Sequence, residues 1–74
     1  MDLHKLGMKL HDMYFNSEDG EAVAMIHLFG IKYAKEIKAS GESMKAIALA
    51  GGIQKSYGTE VSKGVKLAKF VTPK

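Results

Sequence analysis

The sequence predicts an all-α fold, a small bundle of four to five helices. In residues 3–14 and again in residues 23–37, apolar side chains recur every three or four positions, which is the spacing of one face of an α-helix. Residues 44–64 have the pattern of two short helices joined by a glycine turn. Clusters of polar residues and glycine at 16–20 and 40–41 mark the turns between these segments.

The first predicted helix covers residues 3–14. Its core face consists of Leu3, Leu6, Leu10 and Met13, widened by Met8 and Tyr14. Asp2 is placed to cap this helix, because an aspartate carboxylate accepts hydrogen bonds from the free N–H groups of a first turn. We expect Phe15 to pack under the following loop, and Asn16 or Ser17 to cap the next helix.

The second predicted helix, residues 20–40, is the most apolar part of the chain. A helix is favoured over a short buried strand at 25–31, because a single strand would have no partner and the helical pattern continues through 32–38. Gly30 lies inside this segment and marks either a close crossing with another helix or a break into two helices. The Ser-Gly pair at 40–41 ends the segment.

The next glycine turn joins two predicted helices, residues 42–50 and 54–63. Ala48 allows the second helix to approach the first, Gly52 can adopt the left-handed turn, and Ile53 fills the angle between the two helices. The predicted core of this motif consists of Ile47, Ala48, Gly52, Ile53, Tyr57 and Val61. These features are what a helix-turn-helix requires.

This stretch resembles the helix-turn-helix of repressor-like regulators of the Cro and lambda-repressor type. In that family an aliphatic-Ala pair, here at 47–48, a Gly-aliphatic turn, here at 52–53, and a polar helix that ends in glycine recur at this spacing. The chain departs from the pattern at Gly58, where a buried aliphatic residue is usual. The resemblance covers about residues 44–64 and implies a small transcriptional regulator that binds DNA in the major groove.

Gly64 is expected to stop or kink the second helix of the motif. The apolar residues that follow predict a last short helix folded back on the core, and they are Val65, Leu67, Ala68, Phe70 and Val71. Residues 73–74 are predicted to be a tail or the start of a linker. Because a chain of 74 residues makes one domain at most, we predict a single helical domain, 1–72, with the helix-turn-helix at 43–64.

Charge is distributed unevenly along the chain, whose net charge is +3. Residues 1–21 carry two lysines and five acids, the middle of the chain carries four lysines and two glutamates, and residues 55–74 carry five lysines and one glutamate. A basic C-terminal end is expected of a domain that faces a polyanion, so the predicted partner is double-stranded DNA.

With the motif core turned inward, the second helix of the motif would present a polar face. The predicted DNA-binding residues are Gln54, Lys55, Ser56, Thr59, Glu60, Lys63, Lys66 and Lys69. Gln54 suits an adenine edge, and Lys55 suits a guanine edge or a phosphate. Ser56 and Thr59 suit a phosphate or a thymine methyl, and the later lysines suit phosphates. Glu60 would repel phosphate unless it accepts a hydrogen bond from a cytosine.

A protein-binding or dimerisation module is the alternative function. The chain contains no arginine, the residue that makes the commonest specific contact to guanine. An interaction domain, free-standing or at the N-terminus of a larger regulatory or defence protein, would use Phe29, Tyr33 and Phe70 or the acidic N-terminal end. Its partner would be a second copy of the chain or another protein.

No enzyme, cofactor or metal site is predicted. The sequence shows no nucleophile with an evident base, no phosphate loop and no paired acids. His4 and His11 lie two helical turns apart, too far to bind one metal ion without further ligands, and His27 lies in an apolar segment. The chain has no cysteine and no apolar run of about 18 residues, so we expect no disulfide and no membrane span, and a cytoplasmic location.

Overall fold

The computed structural model describes residues 1–72, which form five α-helices and one short 3-10 helix. The α-helices are α1 (Leu3–Phe15), α2 (Ala22–Lys32), α3 (Ala34–Ser40), α4 (Met44–Ala50) and α5 (Gly58–Leu67), and the 3-10 helix is Lys55–Tyr57. No strand occurs in the described part of the chain. The predicted all-α bundle is therefore confirmed, and the alternative of a strand at 25–31 is wrong. The predicted tail at 73–74 lies outside the described residues.

Every α-helix contributes a fully buried side chain to one hydrophobic core. The largest of these side chains are Leu6, Leu10, Ile26, Phe29, Ile37, Ile47 and Val61. Burying a side chain of this size contributes about 1.5–3 kcal/mol relative to leaving it in water. α5 packs across α2, and α4 packs on both α1 and α5. The helix-turn-helix is thus built on the same core that holds the rest of the molecule together.

α1 begins as predicted at Asp2, whose Oδ1 accepts a hydrogen bond of 2.8 Å from the Lys5 N–H. Two details of the prediction for this helix are wrong, one at Met8 and one at Phe15. Met8 is 52% exposed, because it lies on the side of the helix away from the core. Phe15 is 54% exposed and does not pack under the loop; its ring lies 4.4 Å from the His11 ring, centroid to centroid.

The loop between α1 and α2 does not provide the predicted cap for α2. The Ser17 hydroxyl instead donates to the Tyr14 carbonyl at 2.7 Å, which helps to close α1. Glu21 occupies the N-cap position of α2, and its side chain makes no capping hydrogen bond. α2 is therefore held by packing of its apolar face more than by its N-terminal cap.

The predicted second helix is two helices, and the break lies at Tyr33, three residues after Gly30, for which a break was one of the two predicted roles. The Tyr33 N–H still bonds to the Phe29 carbonyl at 3.0 Å, and the Tyr33 carbonyl accepts from the Ile37 N–H at 2.8 Å. α3 ends, as predicted, at Gly41, whose φ is +71°.

Gly30 marks a close crossing with another helix. A Cβ added to Gly30 would lie 2.6 Å from the Val61 carbonyl oxygen and 2.8 Å from the Cα of Gly64. α2 and α5 therefore meet backbone to backbone, with a glycine from each helix at the contact. None of the helices within residues 1–72 is long and apolar enough to cross a membrane.

Candidate nucleic-acid interface

The turn of the helix-turn-helix forms as the sequence predicts. Ser43 caps α4, with its hydroxyl oxygen accepting from the Ala46 N–H at 3.1 Å. Gly52 has a φ of +78°, and its N–H bonds to the Leu49 carbonyl at 3.0 Å, while the Ile53 N–H bonds to the Ala48 carbonyl at 3.2 Å. This pair of hydrogen bonds is the Schellman ending of a helix, which needs a residue that tolerates positive φ.

The residues predicted to be the motif core lie at the contact between the two helices. Ile47, Ala48 and Val61 are fully buried, and Ile53 is 8% exposed. Tyr57 is half-buried and packs against the core, with its ring 6.0 Å from the Tyr14 ring. These side chains fix how α5 is held against α4.

The second helix of the motif differs in its bounds from the predicted 54–63. The chain is extended at Gln54, passes through the 3-10 turn of residues 55–57, and enters α5 only at Gly58. α5 then continues past Gly64 to Leu67, so the helix does not stop at Gly64. The close contact with α2 requires a glycine at position 64. A Cβ there would lie 2.9 Å from the Gly30 Cα and would collide with the backbone of α2.

The predicted last helix, folded back on the core, is also wrong. Val65 is buried, but as part of α5. Phe70 is 81% exposed and Val71 is 47% exposed. Beyond α5, Ala68 packs against the core, but Phe70 and Val71 remain on the surface.

Gly58 has a structural reason for departing from the repressor-like pattern. It is buried where α5 begins against α4, and a Cβ added there would lie 3.0 Å from the Met44 carbonyl carbon and from the Lys45 nitrogen. An aliphatic side chain at this position would push the two helices apart. The glycine accordingly permits a closer approach of α5 to α4 than a larger residue would.

α5 divides into a buried face and an exposed face. Gly58, Val61, Gly64 and Val65 are buried against the bundle. Thr59, Lys63 and Lys66, which follow at helical spacing, lie on the exposed side, and Gln54, Lys55 and Ser56 are exposed on the preceding turn. Lys69 is exposed after the helix ends. All of the predicted DNA-binding residues except Glu60 are thus exposed, on one continuous stretch of chain.

The Thr59 hydroxyl is already used within the helix. It donates to the Ser56 carbonyl at 3.1 Å. Because a threonine hydroxyl has a single hydrogen to donate, Thr59 retains its methyl group and its oxygen lone pairs for contacts outside the protein. Of the two contacts predicted for Thr59, a thymine methyl fits this geometry better than a phosphate.

Glu60 lies at the edge of the outward face and reaches toward α2. Its Oε1 accepts from His27 Nε2 at 2.7 Å, and its Oε2 lies 3.3 Å from Lys63 Nζ. The Glu60 side chain is only 21% exposed. The hydrogen bond from His27, reinforced by Lys63, holds the pKa of the Glu60 carboxyl below its ordinary value of 4.5, so the group is ionised at neutral pH.

A family model described as an HTH-like domain matches residues 2–74 of the chain. The chain belongs to this family of HTH-like domains. No curated protein and no solved structure gives a significant match. The match extends over the whole bundle and not only over the motif, which agrees with a helix-turn-helix that shares its core with α1, α2 and α3.

The structure of the HTH-like domain adds residues that the sequence did not single out. A shallow groove of about 450 Å³ separates the start of α4 from α5, and its lining includes Ser43, Lys45, Thr59 and Ser62. Lys45 is exposed there. The sequence contained a signal for a phosphate contact by Lys45. Lys45 is the second residue of the first helix of the motif, and the first helix of a helix-turn-helix crosses the DNA backbone.

The histidines of the HTH-like domain have separate structural contacts. His11 Nδ1 lies 3.0 Å from the Gly51 carbonyl oxygen, to which its N–H donates, so α1 is tied to the turn of the motif. His27 pairs with Glu60 from a position 33 residues away in the sequence. Within residues 1–72, no three histidine or acidic side chains converge in a way that could hold a metal ion.

Proposed function

We propose that this HTH-like domain binds double-stranded DNA, with α5 in the major groove, as the DNA-binding part of a small cytoplasmic regulator of transcription similar to the Cro and lambda-repressor type. The observation that carries the proposal is the exposed face of α5. Thr59, Lys63 and Lys66 form one stripe along the helix, and Lys55 extends it on the preceding turn. The only acid on α5, Glu60, is 21% exposed and lies beside this stripe, with one carboxylate oxygen on His27 and the other near Lys63.

The proposed contacts follow from exposure and chemistry. Gln54 reads an adenine edge and Lys55 a guanine edge or a phosphate, since both residues are exposed at the turn that leads into α5. Ser56 contacts phosphate, and Thr59 contacts a thymine methyl. Lys63, Lys66 and Lys69 contact the phosphate backbone. Glu60 holds Lys63 in place and makes no base contact of its own.

We also propose that Lys45 contacts the backbone from the start of α4. Lys45 and Thr59 lie on the two sides of the same shallow groove, so a strand that passes α5 would run past Lys45. Because phosphate contacts position a protein without reading sequence, and because the chain has no arginine, we expect binding that depends strongly on charge and moderately on sequence.

The proposal is tested by removing two lysines from the exposed stripe. In the double variant Lys55→Ala, Lys63→Ala we expect affinity for duplex DNA to fall about tenfold at moderate salt, because each lysine supplies an electrostatic contact. Fluorescence anisotropy with a labelled random duplex measures the loss.

The matched control is Lys5→Ala with Lys9→Ala. Both residues are exposed on α1, which packs on α2 and α4, so this variant removes the same charge from another surface. Equal losses in the two double variants would show that binding follows net charge alone and would contradict the proposed surface.

The domain boundaries are part of the proposal. We propose that residues 1–72 form a single folding unit with the helix-turn-helix at 43–64, since α4 and α5 bury their apolar side chains against α1 and α2. A single cooperative unfolding transition, with coincident curves from circular dichroism and tyrosine fluorescence, is the expected result.

A further inference from the structure

A second surface of the HTH-like domain has apolar character. A groove of about 300 Å³ lies beside α5 and is lined by His27, Lys63, Lys66, Leu67 and Phe70. Phe70 is 81% exposed and Leu67 is 42% exposed. An aromatic ring with this exposure next to an open groove leaves a large apolar area in water, which a binding partner could cover.

We propose that this groove binds an acidic amphipathic segment of a partner protein. The segment places an apolar side chain on Leu67 and Phe70 and its carboxylates on Lys63 and Lys66. This goes beyond DNA binding, because the docking requires no nucleic acid.

The charge around the groove supports an acidic occupant. Two of its five lining residues are lysines, and the Lys63 side chain is 62% exposed. Lys66 forms no ion pair with any residue in the described part of the chain. The nearby carboxylate of Glu60 already receives hydrogen bonds from His27 and Lys63, so it does not offer a basic partner a free acid; Lys63 shares its charge with Glu60, and Lys66 does not. A partner with carboxylates is therefore favoured, and one with lysines would be repelled.

The size of the groove supports a short segment more than a second folded copy of this chain. A stable interface between two folded proteins buries about 800 Å² and 20–30 residues on each side. The whole surface of the protein is 4817 Å², and only five residues line the groove. A helix laid into a groove needs only a few apolar anchors, which this surface provides.

Lys63 and Lys66 are also among the residues proposed to contact phosphate. A bound acidic segment would therefore compete with DNA for these two side chains, a consequence that rests on the proposed function. The docking itself is measured without DNA, so its failure and the failure of DNA binding are separate results.

The test uses designed peptides as the probe. The first is a helical peptide of about 16 residues with leucine at helical spacing on one face and glutamate elsewhere. The second keeps the leucines and replaces each glutamate with lysine, and the third keeps the glutamates and replaces each leucine with serine. Fluorescence anisotropy of each labelled peptide gives the affinities. Changes in the NMR amide chemical shifts of the isotope-labelled protein locate the binding site.

We expect the acidic leucine peptide to bind at least tenfold more tightly than either of the other two and to shift the amides of His27 and residues 63–70. Phe70→Ser should lower its affinity about tenfold, as expected for loss of an aromatic anchor. Phe15→Ser, which removes another exposed ring, at the end of α1, should leave the affinity unchanged. Lys66→Glu should also lower the affinity, whereas Lys9→Glu should not.

Three results would overturn the proposal. The lysine peptide could bind as tightly as the acidic one, the shifted amides could lie on another surface, or Phe70→Ser could bind normally. A dimer in sedimentation that Phe70→Ser converts to a monomer would also overturn it, since the groove would then be occupied by a second copy. Circular dichroism of each variant checks that the helices are intact.

Discussion

Among single residues, Glu60 decides the charge of the helix that we propose to contact DNA. Its carboxylate is the only acid on α5, and His27 draws it toward α2. Its second oxygen, Oε2, lies 3.3 Å from Lys63 Nζ and 3.4 Å from Thr59 Oγ1, beside the exposed face of the helix. The pairing with His27 thus keeps the Glu60 side chain only 21% exposed on a helix whose lysines are exposed.

The first prediction concerns the pH dependence of stability. Because the folded state holds the pKa of Glu60 below its ordinary value of 4.5, folding favours the ionised carboxyl. This contribution is fully present above pH 4.5 and is lost as the pH falls through the lower pKa of the folded state. Urea titrations of Glu60→Gln should therefore show a smaller loss of unfolding free energy on acidification than the wild type.

Glu42→Gln is the control, since Glu42 is exposed and its carboxylate has no hydrogen-bond partner within residues 1–72. Asp2 also has a pKa lowered from 3.8, by the Lys5 N–H, and its contribution is common to all three proteins. Identical pH profiles for wild type and Glu60→Gln would contradict the pairing with His27.

Gly52 is the residue on which the turn depends. Gly52→Ala should lower the free energy of unfolding by about 1 kcal/mol or slightly more, because a left-handed conformation strains an L-residue with a Cβ. Chemical denaturation at neutral pH measures this change.

The matched variant is Gly20→Ala, since Gly20 has a φ of +79° with no atom within 4 Å of an added Cβ, whereas at Gly52 the Cβ would lie 3.3 Å from His11 Nδ1. We expect Gly52→Ala to cost at least as much as Gly20→Ala. A Gly52→Ala variant as stable as the wild type would mean that the turn is built differently.

Among the helices, α2 and α5 cross with their backbones in contact. The two helices approach through Gly30 and Gly64, and the carbonyl oxygen of His27 also lies against Gly64. Backbone atoms on both sides of this contact leave no flexible side chain that could move aside. The position of the proposed DNA-binding helix therefore depends on one glycine on its own buried side and one on α2.

Gly64→Ala should destabilise the protein by about 3 kcal/mol or more, the upper end of the cost of overpacking a core. Thermal or chemical unfolding followed by circular dichroism measures the loss. Lys66→Ala, on the exposed side of the same helix, should change stability by no more than about 0.5 kcal/mol. If Gly64→Ala were neutral, α2 and α5 could not cross at this point.

The sequence was informative about elements that are determined locally. The cap at Asp2, the left-handed glycine at 52 and the buried Ile53 could be predicted because each depends on residues a few positions away. The continuation of α5 through Gly64 could not, since glycine ordinarily ends a helix and the reason it does not here is Gly30, 34 positions earlier. The sequence contained a single signal of the contact between Gly30 and Gly64, which is that each lies in an apolar helical segment.

In the candidate site, too, features set by nearby residues could be predicted, and features set by distant residues could not. Exposure of most of the predicted DNA-binding residues followed from helical spacing once Val61 was placed in the core. The direction of Glu60 depends on His27, from a different helix, and no spacing within α5 indicates it. Phe29, predicted to serve a protein interface, is fully buried, because apolar residues in a central helix do not show by themselves which of them face the core.

For the molecule as a whole, the uneven charge of the sequence places lysines and acids on different elements of the fold. The exposed lysines at 55, 63, 66 and 69 belong to the second half of the motif and the turn that follows it, whereas the acids at 18, 19 and 21 belong to the loop before α2. A field of this kind orients a polyanion before contact and accelerates association at low salt.

The most direct test of DNA binding through α5 is the salt dependence of affinity for a random duplex. Each lysine that neutralises a phosphate adds about 0.9 to the slope of log affinity against log salt concentration. We predict that Lys63→Ala with Lys66→Ala lowers this slope by nearly 2, while Lys5→Ala with Lys9→Ala leaves it unchanged. A slope that is the same in all three proteins would contradict DNA binding through this helix.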